Sequence, residues 1–227
     1  MYLYELHMHS REGSACAQNS IHEMIRKYVD LGFSGGVITN HFIGGNTSVD
    51  RNLPWAELID QYSRAYFEGQ ETAEKLGFHL LFGVEEGYGG GKEFLAYGIE
   101  PEFLKENPQL RFGGVAAWSA ALHSVGGFLA YAHPFRVRDY ISDPYAMPDL
   151  SLADGIEVYN RGNRPEDNQK AVDVFGNSDM VLIAGTDSHR ITISGAYGVA
   201  LPCEVTTGTE LAAALKQKNF TIWLGNP

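Results

Sequence analysis

Tyr2-Leu3-Tyr4-Glu5-Leu6-His7-Met8-His9 reads as a β-strand that ends in a pair of imidazoles. In a strand, residues i and i+2 point to the same face, so His7 and His9 project together. Two neutral imidazoles side by side suit a first-row transition metal such as zinc, iron or manganese. Ser20-Ile21-His22-Glu23 then has the form of a capping box, with Ser20 as N-cap and Glu23 reaching back. It opens a helix expected to end near residue 32. Gly36-Val37-Ile38-Thr39 supplies a second strand. After a glycine-containing loop at 44–48, Pro54 suits the first turn of one long amphipathic helix reaching about residue 76.

The alternation continues down the chain. Strands are expected near 79–84 and 94–98, a helix at 114–124, and strands at 127–132 and 155–159. A helix at 165–175, strands at 180–185 and 197–201, a helix at 209–217 and a strand at 220–224 complete it. Repeated β-then-α units of this length indicate an α/β fold with a parallel sheet, open or closed into a barrel. No Pro- or Ser-rich linker and no internal repeat divides the sequence. Residues 1–227 are therefore expected to form a single domain, long enough for one substantial core.

Composition narrows the partners. With 17 basic against 28 acidic residues the net charge is −11, which argues against coating nucleic acid, a role that normally shows a basic stripe. It leaves room for a site whose metals bring their own positive charge. Cys16 and Cys203 are too few for a disulfide framework. No apolar run suggests a membrane span or a signal peptide, so a cytoplasmic protein is expected. No segment reports an oligomeric state.

The candidate ligands recur where strands hand over to loops. His7 and His9 end the first strand, and His41 follows Val37-Ile38-Thr39-Asn40. Glu85 follows Leu80-Leu81-Phe82-Gly83-Val84, and His133 follows Phe128-Leu129-Ala130-Tyr131-Ala132. Asp187 and His189 end Val181-Leu182-Ile183-Ala184-Gly185-Thr186. In parallel α/β folds the carboxyl ends of strands share one rim, where sites are built. Five of the eight histidines fall there, which concentrates metal-binding chemistry on one edge. A carboxylate such as Glu85 can bridge two cations about 3.5–4 Å apart, the spacing used for displacement at phosphorus.

These residues also carry a family likeness. His7-Met8-His9, Thr39-Asn40-His41, Gly83-Val84-Glu85, Ala132-His133-Pro134 and Gly185-Thr186-Asp187-Ser188-His189 resemble, in order, the motifs of the polymerase and histidinol phosphatase (PHP) superfamily. The resemblance implies a distorted (β/α)7 barrel holding two or three divalent ions (zinc, manganese or iron) that hydrolyses phosphoesters. It implies one metal on His7, His9, Glu85 and Asp187, a second bridged by Glu85 and bound by His133, and a third on His41 and His189. Where the family's second motif reads Thr-Asp-His this chain has Asn40, expected beside the ligands rather than among them. Cys16 stands where the family often places a His or Asp, and is the candidate to complete the third site. Glu93 is the candidate for the second metal where relatives carry a further His.

Asp187, His189 and Arg136 are the candidate catalytic residues. Guanidinium groups bind phosphate oxygens through paired hydrogen bonds, which makes Arg136, Arg161 and Arg190, each next to a rim motif, candidates for substrate. Glu157 is expected to hydrogen-bond a ligand rather than coordinate. His22 is expected to face solvent, His79 to pack, and His123 to favour the negative end of its helix. Gly87-Tyr88-Gly89-Gly90-Gly91 lacks the Lys-Ser/Thr of a P-loop and reads as a turn beside the rim. The expected activity is hydrolysis of a small phosphorylated substrate by a metal-activated water. Three alternatives share the ligand vocabulary: a C–N or lactone-type metallohydrolase, a 3′-exonuclease, and a metal-binding regulatory module without turnover.

Overall fold

The computed structural model describes residues 1–225. Strand β1 (Tyr2–Met8) lies where the sequence places it, and α1 (Ile21–Asp30) begins on a complete capping box. β2 (Gly35–Ile38) follows. The one long helix expected after Pro54 is two, α2 (Trp55–Tyr62) and α3 (Arg64–Leu76). The break falls at Ser63, whose hydroxyl donates to Ile59 O at 2.8 Å. Such a bond back to the preceding turn competes with the ladder and bends helices.

Next come β3 (His79–Phe82), β4 (Val84–Gly89) and β5 (Lys92–Tyr97). α4 (Pro101–Glu106), α5 (Gly114–Ser124), β6 (Phe128–Tyr131), β7 (Gly155–Asn160) and α6 (Pro165–Phe175) lead to β8 (Val181–Gly185). β9 (Gly198–Leu201), α7 (Gly208–Lys216) and β10 (Thr221–Trp223) complete the described chain. Sequence reading missed β4 and α4. β4 is rich in Glu and Gly, residues depleted in strands, and only its ladder to β5 makes it one.

The α/β class holds, but the strands do not close into one barrel of seven β/α units. They form two five-stranded sheets, ordered β10-β9-β1-β2-β3 and β4-β5-β6-β7-β8. β5 is antiparallel to both of its neighbours, and β9 is antiparallel to β1 and β10. For β4 and β5 the reason is local: Gly89, Gly90 and Gly91, with φ values of 111°, 62° and 79°, turn one strand directly into the other. A hairpin needs no crossover helix, whereas a parallel neighbour does.

Two seams join the sheets. Gly83 passes the chain from β3, paired with β2, to β4, paired with β5. Opposite, Asp187 N donates to His7 O (2.7 Å) and His9 N to Ser188 O (3.0 Å), tying the end of β8 to β1. The ends of β1, β2, β6 and β8 thereby gather on one rim. Because β5 runs against its neighbours, its first residues, Lys92 and Glu93, reach that rim as well.

Packing stiffens it from below. Phe42 and Phe94, each next in sequence to a rim residue, stand edge-on to the buried Trp118 at 5.9 and 5.7 Å, an arrangement aromatic pairs prefer. The histidines outside the rim take ordinary partners. His79 pairs with Glu204 (2.9 Å) and His123 with Asp154 (3.0 Å). His22 is half-buried, not free in solvent, with Nδ1 against Thr72 Oγ1 at 2.8 Å. No helix among the described residues is long and apolar enough to cross a membrane.

Candidate metal centre

The Glu85 carboxylate sits at the middle of the rim, fully buried. Its Oε1 lies 3.0 Å from His7 Nε2 and 3.1 Å from His133 Nε2. Its Oε2 lies 2.8 Å from His41 Nδ1 and 3.3 Å from His9 Nε2. Asp187 Oδ1 is 3.2 Å from His9 Nε2, 3.4 Å from His189 Nδ1 and 3.6 Å from His7 Nε2. Glu93 completes the ring, 3.2 Å from His41 Nδ1 and 3.6 Å from His133 Nε2. The donors fall into overlapping sets: His7, His9 and Glu85; His9, His41 and His189; His41, Glu85 and Glu93; His7, His133 and Glu157.

Of these contacts only His133 Nε2 to Glu85 Oε1 is a proper hydrogen bond. His7 Nε2, His9 Nε2, His41 Nδ1, Glu85 Oε2 and Asp187 Oδ1 are all buried and unpaired. One buried polar atom left unpaired costs about 1–3 kcal/mol, so five of them converging on one point need a common partner. Imidazole nitrogens mixed with carboxylate oxygens fit a divalent transition metal.

The outer faces of the rings are satisfied, which fixes where the inner lone pairs point. His7 Nδ1 meets Glu157 Oε1 at 2.9 Å. The same carboxylate accepts from His133 N (3.0 Å) and Asn160 Nδ2 (2.9 Å) through Oε2. Ser14 Oγ donates to Asn40 Oδ1 (2.9 Å), leaving it to accept from His9 Nδ1 (3.0 Å) and His41 N (2.9 Å). Asn40, anticipated beside the ligands, thus holds the serine that holds His9. With Nδ1 of His7 and His9 donating outward, the Nε2 lone pair of each neutral ring is turned inward, free to bind a cation.

Charge is arranged to match. Burial works against ionising Glu85, yet His7 and His41 hold its carboxyl well below the usual range. Burial is likewise overcome at Asp187, first by Arg136 and then by His7. His7 is driven well above the ordinary histidine value by Glu85, Glu157 and Asp187 despite burial. His9, buried and beside His189 and His41, is pushed well below it. Protons and a metal compete for the same nitrogens in such a cluster. Two non-glycine residues also hold positive φ here, His133 (29°) and Asp187 (55°). Backbone strain of this kind costs on the order of 1–3 kcal/mol and collects at functional sites.

No protein-family model matches the sequence, and no curated protein matches it. Solved structures do. A two-domain protein from Bacteroides vulgatus, containing what is predicted to be a PHP-like metal-dependent phosphoesterase, superposes with a TM-score of 0.65 at 17% identity, over 99% of this chain and 65% of that one. A protein from Bifidobacterium adolescentis, provisionally named a metal-dependent phosphoesterase, gives 0.59 at 16% identity over 93% and 95%. The lesion-specific endonuclease Q of Pyrococcus furiosus gives 0.57 at 12% identity, over 97% of this chain and 57% of that one. The chain has a PHP-like fold.

Within this PHP-like fold two clefts meet at the donor cluster, sharing Cys16, Arg136 and His189. The first, about 540 Å³, is lined by Arg136, Arg138, Arg161 and Arg190. Arg136 is buried, its Nη2 paired with Asp187 Oδ2 and donating to Asn160 Oδ1 (2.9 Å), its Nε donating to Asn163 Oδ1 (2.7 Å). It braces Asp187 as well as facing the cleft. Arg161 and Arg190 are exposed on the cleft wall. Arg138, missed in the sequence reading, donates to Gly162 O at 2.8 Å and is two residues beyond Arg136. Cys16 is exposed at the mouth, where burial is outweighed by His189 and His41, bringing its thiol down to about 6. The donor sets among the described residues close without its sulfur.

Sequence reading also missed Ser14, Asn160 and Glu5. Ser14 and Asn160 carry no motif signal. Glu5 shares a strand face with His7 and His9, and alternation alone would have shown it.

Proposed function

We propose that this protein is a metal-dependent phosphoesterase acting on a small phosphomonoester, with residues 1–227 working as one catalytic unit. The observation that carries the reading is the set of five buried, unpaired donor atoms converging beneath an arginine-lined cleft. In this reading His7, His9, Glu85 and Asp187 hold one cation, Glu85, His133 and Glu93 a second, and His41 with His189 a third that Cys16 can complete. Bound divalent cations supply Lewis acidity toward a phosphoryl oxygen and lower the pKa of water enough to give a nucleophile at neutral pH.

The rest is done by the chain. Arg138, Arg161 and Arg190 receive the nonbridging phosphoryl oxygens, because planar guanidinium forks match them. Arg136 keeps Asp187 ionised and aimed. His189 Nδ1 faces the Asp187 carbonyl at 3.1 Å, which leaves Nε2 as the ring atom that can ligate or take a proton at the cleft mouth. Asp187 is the candidate to pass the water's proton onward. The acidic chain and the absence of a basic track favour a small substrate over a nucleic-acid duplex.

The test pairs metal quantification with a panel of phosphomonoesters, phosphodiesters, amides and single-stranded DNA, comparing the native chain with His133→Ala. Monoester turnover and bound metal should both fall in the variant. Unchanged metal and unchanged turnover would overturn the reading. Preference for an amide would make the protein a C–N hydrolase, and shortening of DNA an exonuclease. A metal-loaded native chain inert across the panel would make it a binding module.

A further inference from the structure

The second cleft, about 640 Å³, meets the first at Cys16, Arg136 and His189 and differs in kind from it. Its inner end is His41, about nine-tenths buried, whose Nδ1 has no hydrogen-bond partner. Its floor is largely backbone, from Gly44, Gly45, Gly87, Gly90 and Gly91. Without Cβ atoms these residues present flat peptide surface. Tyr140, 60% exposed, lines the cleft above them.

The side chain is exposed, but the backbone that carries it is held. A Cβ on Gly91 would stand 2.5 Å from Tyr140 O, so the turn and the tyrosine backbone are in direct contact. Ser142 N donates to Gly90 O at 3.0 Å. Lys92 clamps the same loop, its buried ammonium donating to Pro134 O (2.8 Å), Pro144 O (3.2 Å) and Ala146 O (2.8 Å). Lys92 is so occupied, and Arg136, which also lines this cleft, is paired with Asp187. An aromatic side chain lining the same cleft as this peptide surface suits a planar partner, since stacking is sequence-tolerant and needs only a π-face.

We propose that this cleft is the leaving-group subsite and that it takes an uncharged planar ring, aromatic or heteroaromatic, stacked against Tyr140. The assignment rests on the phosphoesterase reading, with the phosphoryl group seated on the arginine side and its substituent lying across His41 into the glycine-floored slot. Tyr140 is then a specificity residue, outside the reacting atoms.

The test uses ligands that cannot turn over. Phenylphosphonate and methylphosphonate are titrated calorimetrically into the manganese-loaded full chain, native and with Tyr140→Ala or Tyr140→Phe. The native chain should bind the phenyl ligand about tenfold more tightly, as stacking contacts predict. Tyr140→Ala should bring the two ligands to parity with methylphosphonate affinity unchanged, and Tyr140→Phe should keep the preference. A native chain with no preference, or a phenyl preference that survives Tyr140→Ala, overturns the subsite. Failure to bind either phosphonate overturns the phosphoesterase reading beneath it, and the subsite with it.

Discussion

Glu5 and Glu85 are both glutamates with no solvent exposure, and they are built for opposite purposes. Glu5 is met by neutral donors. Its Oε1 accepts from His7 N and Thr186 N, each at 2.8 Å, and its Oε2 from the Thr186 hydroxyl. Burial pushes its carboxyl up to about 7, with those hydrogen bonds pulling the other way. Glu85 is surrounded by imidazoles, keeps an unpaired Oε2, and is held well below the usual range. A carboxylate given backbone N–H groups is a fastener between strands. One given only nitrogens that could lose their protons is a seat for cations.

The sharpest way to break that contrast is to remove one charge at each position. Glu85→Gln should lose bound metal and cut phosphoester turnover by more than about 100-fold, beyond the 10–100-fold expected for a residue that merely supports a ligand. Glu5→Gln should keep its metal. Equal metal content in the two variants, read by elemental analysis after gel filtration, would erase the distinction.

Stability should then separate the same residue from its truncated form. Glu5→Ala leaves His7 N and Thr186 N without their acceptor, and at about 1–3 kcal/mol per buried group the loss should exceed about 2 kcal/mol. Glu5→Gln keeps an acceptor for both N–H groups and lets the threonine hydroxyl turn toward Tyr197 O, 3.1 Å away. It should cost less than about 1.5 kcal/mol. Urea unfolding of chelator-treated protein measures both, and similar losses would show that Glu5 is not acting through those donors.

Metal addition tests the other side. At a free concentration 100 times its Kd, a cation should stabilise the native chain by about 2.7 kcal/mol. Glu5→Gln should retain that shift and Glu85→Gln should lose it. A Tm increase of equal size in both would place the cation away from Glu85. The smallest effect belongs to Glu157→Gln, which disturbs His7 through its Nδ1 partner. Metal affinity should fall about 10–100-fold in a chelator competition, with the fold intact.

Much of the centre was readable in advance because its signals are local. Apolar runs ending in His7, His9, His41, Glu85, His133, Asp187 and His189 mark strand ends, and these residues do share a rim. Other features were out of reach. Ser63 looks unexceptional in a helix until its hydroxyl bonds back to Ile59. Lys92 gives no sign that three carbonyls will enclose its ammonium. Gly87 to Gly91 reads as a turn, and its role as one face of a cleft depends on Tyr140 arriving from another part of the chain.

The sequence by itself determined the chemistry of this protein, which donors it carries and at which strand ends, because strand periodicity and the edges of apolar runs are properties of neighbouring residues. Tertiary structure alone decided how those donors are used. Strand direction is not written in a strand's own composition, so the reversed β5 that delivers Glu93 to the rim became visible only in the pairing. Glu5 finds Thr186 across 181 positions, and His7 finds Glu157 across 150. Contacts of that range are set by how the two sheets meet, and that meeting separates the carboxylate that fastens from the one that binds.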